Sequence, residues 1–281
     1  MIMDASGGDT AALVALKPVA YAKSRLGTLP DPLRRRLAWT MAVDTLRALG
    51  AAVDAVLVVS DQPALTSRLA RAGVRARVVG DAGAVGLNEA LSRGAALLQA
   101  GGHRSVLACV GDLPALRPDS VRAVLAAAPE RGRAFLADAS GFGTTMLITG
   151  GAPLDPRFSG PSAAAHAASG AVDLDQSRLP GPVPDARQDV DSEVDLGPAA
   201  LLGLGAATQA LMDPQTGRLA TFTVITTTQH TDDRGRAVAL TAAGYRVRLP
   251  AEALADGLRR LRPGQRLHAV QADGVVLSAW M

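Results

Sequence analysis

The strongest constraint on the fold is a regular alternation of short apolar runs with longer stretches of helical periodicity. Residues 12–16, 53–60 and 105–110 form nearly continuous apolar runs, which is typical of strands covered on both faces. Residues 30–49 and 87–100 carry apolar side chains at helical spacing. Strands that alternate with helices predict βαβ units and a mostly parallel sheet.

Shorter elements complete this prediction. The pattern indicates helices over 63–72 and 116–127 and a strand over 76–79. A further apolar strand is expected after the glycines and threonines near 143–145. Residues 171–188 are polar and contain several prolines, which predicts a long loop or an irregular segment.

Composition narrows the class of protein. The chain has 281 residues, of which 48% are hydrophobic, so it can fill a substantial core. Cys109 is the only cysteine, which excludes an internal disulfide and fits a reducing cytoplasm. We expect no signal peptide in the polar first ten residues and no membrane span, and therefore a cytoplasmic protein. The net charge of +3 does not demand nucleic acid.

Both lysines of the chain, Lys17 and Lys23, lie in one stretch, although lysine and arginine together number 29. In an arginine-rich sequence, a retained lysine suggests a place where a compact ammonium must reach a phosphate oxygen. The stretch continues with Ser24 and Arg25 and follows the first strand, where α/β sheets often bind phosphates. The glycine-rich dinucleotide and P-loop motifs are absent there. The alternative is a basic surface loop.

Three aspartates predict a metal site. Asp112 follows the strand 105–110, and the carboxyl end of a central strand is where open α/β sheets place their chemistry. Asp189 and Asp191 lie near it if the chain returns to this edge, and carboxylates suit Mg²⁺. The alternatives are structural: Asp112 as a cap of the helix 116–127, and a short strand feeding a helix capped by Asp191 or Ser192.

An anion site is predicted where a helix begins near residue 160. Ser159 or Gly160 would cap this helix and Pro161 would take its first position. Free amides and the Ser162 hydroxyl could then bind a phosphate or carboxylate, although a plain capped helix fits equally well. His166, one turn further on, is expected to face solvent.

The tail has a different pattern. Five strand-like runs separated by turns follow residue 218, which predicts a small β-barrel similar to a cold-shock or OB-type module. We place the domain boundary between 1–212 and 213–281. Nucleic acid is the less favoured partner because few aromatic residues are available for stacking, namely Phe222, Tyr245 and Trp280. A structural or homodimer-forming role is favoured over it.

Six motifs in fixed order resemble the phosphoenolpyruvate or 2-phospho-L-lactate guanylyltransferases of coenzyme F-420 biosynthesis. They are Lys17–Leu26, Gly86–Leu91, Gly111–Pro114, Gly143–Thr145, Phe158–Ser162 and Asp189–Asp191. The resemblance implies an α/β, Rossmann-like nucleotidyltransferase fold with a mixed, mainly parallel sheet flanked by helices. It also implies transfer of GMP from GTP to the phosphate of a small phosphorylated three-carbon acid, with release of pyrophosphate.

The resemblance also implies roles for individual residues. Asp112 and Asp191 would hold Mg²⁺, with Asp189 assisting or structural. The residues expected to bind GTP are Lys17, Lys23, Ser24, Arg25 and Asn88. Those expected to act in catalysis are Lys23, Arg25 and Asp112. Those expected to bind the acceptor are Thr144, Ser159 and Ser162.

Two departures from the family pattern stand out. Ser159 replaces the usual glycine after Phe158, and Ser192-Glu193 replaces the usual Thr-Pro. The composition resembles actinobacterial members, which favours phosphoenolpyruvate over 2-phospho-L-lactate or phosphoglycerate as the acceptor. The alternative outside the enzymes is a nucleotide- or RNA-binding regulatory protein whose transferase domain is inactive.

Overall fold

The computed structural model describes residues 9–16, 31–175, 178–212, 218–227, 237–241, 246–249, 262, 264–272 and 275–280. Lys17, Lys23, Ser24 and Arg25 therefore lie outside the described residues, and their assignments stay predictions. The chain divides into two compact units, Met1–Ala22 with Met41–Gly205 and Lys23–Thr40 with Ala206–Met281.

A seven-stranded sheet forms the centre of the first unit. Its strands in chain order are β1 (Thr10–Ala15), β2 (Ala55–Val59), β3 (Arg77–Val79), β4 (Ser105–Cys109), β5 (Gly132–Ala137), β6 (Thr144–Gly150) and β7 (Val172–Asp173). The order across the sheet is β3-β2-β1-β4-β6-β5-β7, and β6 alone among these seven runs antiparallel to its neighbours. The expected mixed, mainly parallel sheet is confirmed.

Among the described residues of this unit, five helices lie between these strands in the sequence and two follow β7. They are α1 (Asp31–Gly50), α2 (Leu65–Arg71), α3 (Leu87–Ala100), α4 (Pro118–Ala127), α5 (Ser162–Ala168), α6 (Pro184–Arg187) and α7 (Glu193–Leu202). The division between the two units falls within α1. Among the described helices, none is long and apolar enough to cross a membrane.

The core lies where α3 packs on the sheet. Leu13 of β1 and Val59 of β2 are buried on this face, and Gly94 of α3 approaches both so closely that a Cβ would lie 2.6 Å from Leu13 Cδ1 and 3.0 Å from Val59 Cγ2. Gly50, at the end of α1, packs beside Val56, whose side chain alternates to the opposite face of β2. The sheet is therefore covered on both faces, which explains the continuous apolar runs.

The main elements agree with the sequence pattern, but 171–188 does not. This segment contains β7 and the short helix α6 rather than irregular chain alone. β7 pairs in parallel with β5, matching Ala134 with Val172 and Phe135 with Asp173. A two-residue strand that forms by pairing with a distant strand leaves no periodic signal in the sequence.

The second unit contains α8 (Ala206–Met212) and an antiparallel sheet in its described residues. The strands are β8 (Arg218–Thr227), β9 (Ala237–Thr241), β10 (Arg246–Leu249), β11 (Arg266–Ala272) and β12 (Val275–Trp280), in the order β10-β9-β8-β11-β12. The five strand-like runs are thus confirmed as strands. Their closure into a barrel and the domain boundary stay predictions.

Candidate active site

Three carboxylates meet at the carboxyl edge of β4. One oxygen from each of Asp112, Asp189 and Asp191 lies within 4.8 Å of the others. Asp112 and Asp189 are half-buried and Asp191 is exposed. Three like charges this close repel one another, and a divalent cation with oxygen ligands would offset that repulsion. We call these three residues the acidic cluster; their donor set fits a hard divalent metal ion.

The loop that carries Asp112 is held from two sides. Before it, the Val110 N–H donates to the Thr145 carbonyl at 3.0 Å. After it, the Leu113 N–H donates to Thr45 Oγ1 at 3.0 Å, and the same hydroxyl donates to the Met41 carbonyl in α1. Thr45 is fully buried. A helix side chain therefore fixes the backbone directly after the predicted metal ligand.

The segment that carries Asp189 and Asp191 has its own supports. The Arg187 guanidinium donates to the carbonyl of Ala137, the last residue of β5, and to that of Leu174, which follows β7. The Val190 N–H donates to the Asp112 carbonyl at 3.1 Å. These contacts bring two segments far apart in sequence to the same edge of the sheet.

Of the two structural alternatives predicted for these aspartates, one is confirmed in part and the other is not observed. Ser192 caps α7 through a capping box with Asp195, so the predicted helix start is confirmed. The expected short strand is not present, because residues 188–192 directly before the helix form no strand. Asp112 does not cap α4. Asp185, a buried carboxylate, takes that role by accepting the Arg117 N–H at 2.9 Å and the Ser120 hydroxyl at 2.8 Å.

Thr144, predicted to bind the acceptor, contacts a buried histidine. Thr144 Oγ1 lies 2.9 Å from His166 Nδ1, and the Arg157 N–H donates to His166 Nε2 at 2.9 Å. His166 is 0% exposed, so the expectation that it faces solvent is wrong. The pKa of His166 is lowered to about 4, mainly by burial; Arg133 and Arg157 also lower it, while the Ser162 backbone and Asp155 raise it.

The start of α5 differs in detail from the prediction. Pro161 occupies the cap position and Ser162 is the first helical residue. The N–H groups of Ser162 and Ala163 donate to the carbonyls of Gly160 and Phe142, so this structure does not leave them free for an anion. Ser162 is buried, and the Ser159 hydroxyl donates to the Phe158 carbonyl.

Asn88 lies at the start of α3 and contacts the backbone of Phe158, in the segment before α5. Its Oδ1 accepts the Phe158 N–H at 2.8 Å. Side chains from α3 and α5 therefore bind two successive amides, those of Phe158 and Arg157. The NH₂ group of Asn88 remains as a donor, so Asn88 is suited to bind an oxygen of a ligand and not an N–H group of a ligand.

A cleft of about 200 Å³ opens beside Asn88, at the carboxyl ends of β1 and β2. We call it the β1–β2 cleft; its lining includes Leu16, Val59, Ser60, Asp61, Asp81, Gly86 and Leu87. Asp61 Oδ1 accepts the Asp81 N–H at 3.0 Å, and Asp81 Oδ1 accepts the Gly83 N–H at 2.9 Å. Hydrogen bonds to Asp61 and to the Gly83 backbone lower the pKa of Asp81. The cleft thus presents two carboxylates above apolar walls.

The sequence did not predict the contacts of Thr45, Asp185 and Arg187, or the burial of His166 and its contacts with Thr144 and Arg157. Each acts on a partner distant in the chain, and their residue types are common at helix positions and loops. Only the position of Asp61, directly after the strand 53–60, carried a signal that could have drawn attention to it.

The sequence and the fold resemble those of known proteins. Residues 24–176 match the model of the MobA-like NTP transferase domain. The structure resembles that of a nucleotide-diphospho-sugar transferase from Desulfovibrio desulfuricans with a TM-score of 0.50, at 14% identity, covering 60% of this chain and 80% of that one. The latter likeness concerns the fold alone.

Sequence relatives are closer. The phosphoenolpyruvate guanylyltransferase of Salinispora arenicola is 48% identical over 205 residues, covering 71% of this chain and 91% of that protein. The protein of the same name from Geodermatophilus obscurus is 43% identical over 208 residues, covering 71% of this chain and 92% of that protein. The chain is therefore a nucleotidyltransferase with a MobA-like domain and belongs to the phosphoenolpyruvate guanylyltransferase family.

Proposed function

We propose that this guanylyltransferase joins GMP from GTP to the phosphate of phosphoenolpyruvate, giving enolpyruvyl-diphospho-guanosine and pyrophosphate. The observation that carries the proposal is the acidic cluster at the carboxyl edge of β4. Val110, two residues before Asp112, donates its N–H to Thr145 of β6. The name of the relatives at 43–48% identity supports the acceptor, and 2-phospho-L-lactate or phosphoglycerate is the alternative.

The reaction is an in-line displacement at the α-phosphorus of GTP. A phosphate oxygen of the acceptor forms the new bond to that phosphorus, while the bond to the bridging β-phosphate oxygen breaks and pyrophosphate leaves. The attacking oxygen is already an anion, so no general base is required. His166 could not act as one here because both of its ring nitrogens are engaged. The protein supplies position and charge.

The acidic cluster is proposed to hold Mg²⁺ through Asp112, Asp189 and Asp191. Mg²⁺ bound there would offset the repulsion between the two polyanionic substrates. The remaining positive charge is assigned to Lys17, Lys23 and Arg25, with Ser24 as a hydroxyl donor to the phosphates. These assignments rest on the sequence motif.

The β1–β2 cleft is proposed to receive the guanosine. Guanine carries an N–H and an NH₂ on one edge, and the carboxylates of Asp61 and Asp81 are acceptors that match them. The NH₂ group of Asn88 would donate to an oxygen of the nucleoside. The acceptor would bind beside Thr144, Ser159 and Ser162; Asn88 also accepts the N–H of Phe158, which precedes Ser159.

For the tail we propose a structural or dimer-forming barrel. The edge strands β10 and β12 of its sheet approach each other, which supports closure. A homodimer would be detected by light scattering of the full chain.

Pyrophosphate release with GTP and Mg²⁺ tests the enzyme. Phosphoenolpyruvate, 2-phospho-L-lactate and phosphoglycerate are compared as acceptors, and the guanosine product is identified by mass spectrometry. Asp112→Asn should abolish release. Asp119→Asn is the matched control, because Asp119 is an exposed residue of α4 paired with Arg122. If pyrophosphate is released only with 2-phospho-L-lactate or phosphoglycerate, the substrate must be reassigned. If no acceptor gives pyrophosphate release, the proposal is refuted.

A further inference from the structure

Two hydrogen bonds fix the protonation of His166 without reference to its pKa. A backbone N–H can only donate, so the Arg157 N–H requires a lone pair on His166 Nε2, 2.9 Å away. A neutral imidazole with a bare Nε2 carries its proton on Nδ1. An imidazolium would place two donors face to face at this contact. The only arrangement that satisfies both contacts is the neutral Nδ1–H form.

The ring is also held in place. It is completely buried, with its centroid 5.8 Å from the ring of Phe135 and 5.2 Å from that of Phe158, the latter in an edge-on arrangement. The imidazole is therefore a fixed neutral group that links α5, β6 and the segment 157–158.

This form determines what the Thr144 hydroxyl can do. His166 Nδ1–H donates to Thr144 Oγ1 across 2.9 Å, so that oxygen acts as an acceptor toward the ring. The hydroxyl proton is then directed elsewhere, and a hydroxyl whose oxygen accepts a hydrogen bond is a better donor. A substrate anion beside Thr144 would receive that proton in a hydrogen bond.

We propose that His166 is a positioning residue which, as the Nδ1–H tautomer, makes Thr144 a donor to the anionic acceptor. The inference rests on the proposed function, because it takes Thr144 to be part of the acceptor site. It assigns His166 no contact with the substrate and no proton transfer.

The first test is spectroscopic and uses the unaltered protein. Long-range ¹H–¹⁵N spectra of ¹⁵N-labelled protein at neutral pH distinguish protonated from bare ring nitrogens, and His166→Asn identifies the signals among the four histidines. A protonated Nδ1 with a bare Nε2 is expected. A protonated Nε2, or both nitrogens protonated, would overturn the proposal.

The second test measures binding of phosphoenolpyruvate by calorimetry, with Mg²⁺ and a non-hydrolysable GTP analogue present. His166→Leu and Thr144→Val should each weaken acceptor binding about tenfold. Thr144→Val removes the hydroxyl that donates to the charged acceptor, and His166→Leu removes the N–H that orients this hydroxyl. The double variant should be no weaker, because the histidine acts through the threonine. Affinity for the GTP analogue should not change.

Asparagine keeps a donor near the position of Nδ1, so His166→Asn should retain acceptor affinity within about threefold. His103→Asn is the matched control, since His103 lies at the amino end of β4, on the opposite edge of the sheet. Additive losses in the double variant, or unchanged affinity in His166→Leu, would refute the positioning role. Binding of phosphoenolpyruvate without pyrophosphate release would instead refute the proposed function and leave this inference standing.

Discussion

The backbone N–H of Val190 donates a hydrogen bond to the carbonyl oxygen of Asp112 at 3.1 Å. Val190 lies between Asp189 and Asp191, so this one contact sets the register of two carboxylates against the third. The side chains of the acidic cluster then face one another within 4.8 Å. Backbone pairing, rather than any attraction between the side chains, holds three like charges together.

Replacing one carboxylate of the cluster should weaken metal binding while stabilising the metal-free protein. In Asp189→Asn, we expect the Mg²⁺ concentration for half-maximal activity to rise about tenfold, because an anionic ligand is lost. The melting temperature in EDTA should stay equal or increase, because repulsion is relieved. Thermal unfolding with EDTA and with Mg²⁺ measures both effects.

Asp175→Asn provides the control, since Asp175 lies outside the cluster. Its Mg²⁺ dependence should match that of the unaltered protein. A lower melting temperature for Asp189→Asn in EDTA would show that the carboxylate is a structural group instead of a metal ligand.

The Thr45 hydroxyl should be required for the position of the Asp112 loop. Thr45→Val keeps the shape of the side chain but leaves the buried Leu113 N–H without its acceptor, at a cost of about 1–3 kcal/mol in the free energy of unfolding. We expect activity to fall about tenfold as well, because the loop shifts. Urea denaturation and initial rates measure the two losses.

Thr40→Val in the same helix is the matched variant. The Thr40 hydroxyl donates to the Leu37 carbonyl within α1, so its loss leaves no distant N–H unpaired. Equal destabilisation by the two substitutions would contradict the role given to Thr45.

The parts of the fold that could be predicted are those with a local cause. The strand 105–110 is buried on both faces and α3 has a clear helical period, so β4 and α3 were readable from the sequence. The position of Asp112 could also be predicted, because α/β sheets place chemistry at the carboxyl edge. Asp191 follows no strand, so its place beside Asp112 was predicted only on the condition that the chain returns to this edge.

The rest depends on contacts between distant residues. Asp185 caps α4 from far along the chain, and a carboxylate in a polar loop gives no sign of such a partner. The burial of His166 depends on Phe135 and Phe158, which lie on two different segments. Such arrangements follow from the tertiary fold and not from the spacing of residues.

Asp61 should contribute to the choice of nucleotide. If its carboxylate accepts hydrogen bonds from guanine, Asp61→Asn replaces one acceptor oxygen with a donor NH₂ group, which opposes the guanine N–H groups. We expect kcat/KM for GTP to fall about tenfold or more, with less change for ATP. The ratio of the two rates is the measurement.

Asp54→Asn is a suitable comparison, because Asp54 accepts the Thr10 N–H at the amino end of the sheet. It should leave the GTP to ATP ratio unchanged. An unchanged ratio in Asp61→Asn would instead place the guanine outside the β1–β2 cleft.

His166 should make the protein less stable in mild acid. Its pKa is about 4 in the folded protein and about 6.5 when exposed, so below pH 6.5 the unfolded chain binds a proton that the folded protein does not. The free energy of unfolding should therefore decrease as the pH falls from about 6.5 to about 4 and level off below that. The loss attributable to this residue is about 2–3 kcal/mol.

The comparison of the unaltered protein with His166→Asn isolates this effect from the carboxylates, which also titrate toward the lower end of the window. Asparagine does not titrate, so the difference in unfolding free energy between the two proteins should narrow as the pH drops from 6.5 to 4. Urea denaturation at half-unit pH steps measures it. A difference that stays constant across this window would mean that the histidine accepts its proton in the folded protein as readily as in the unfolded chain, which the contact of the Arg157 N–H with Nε2 opposes.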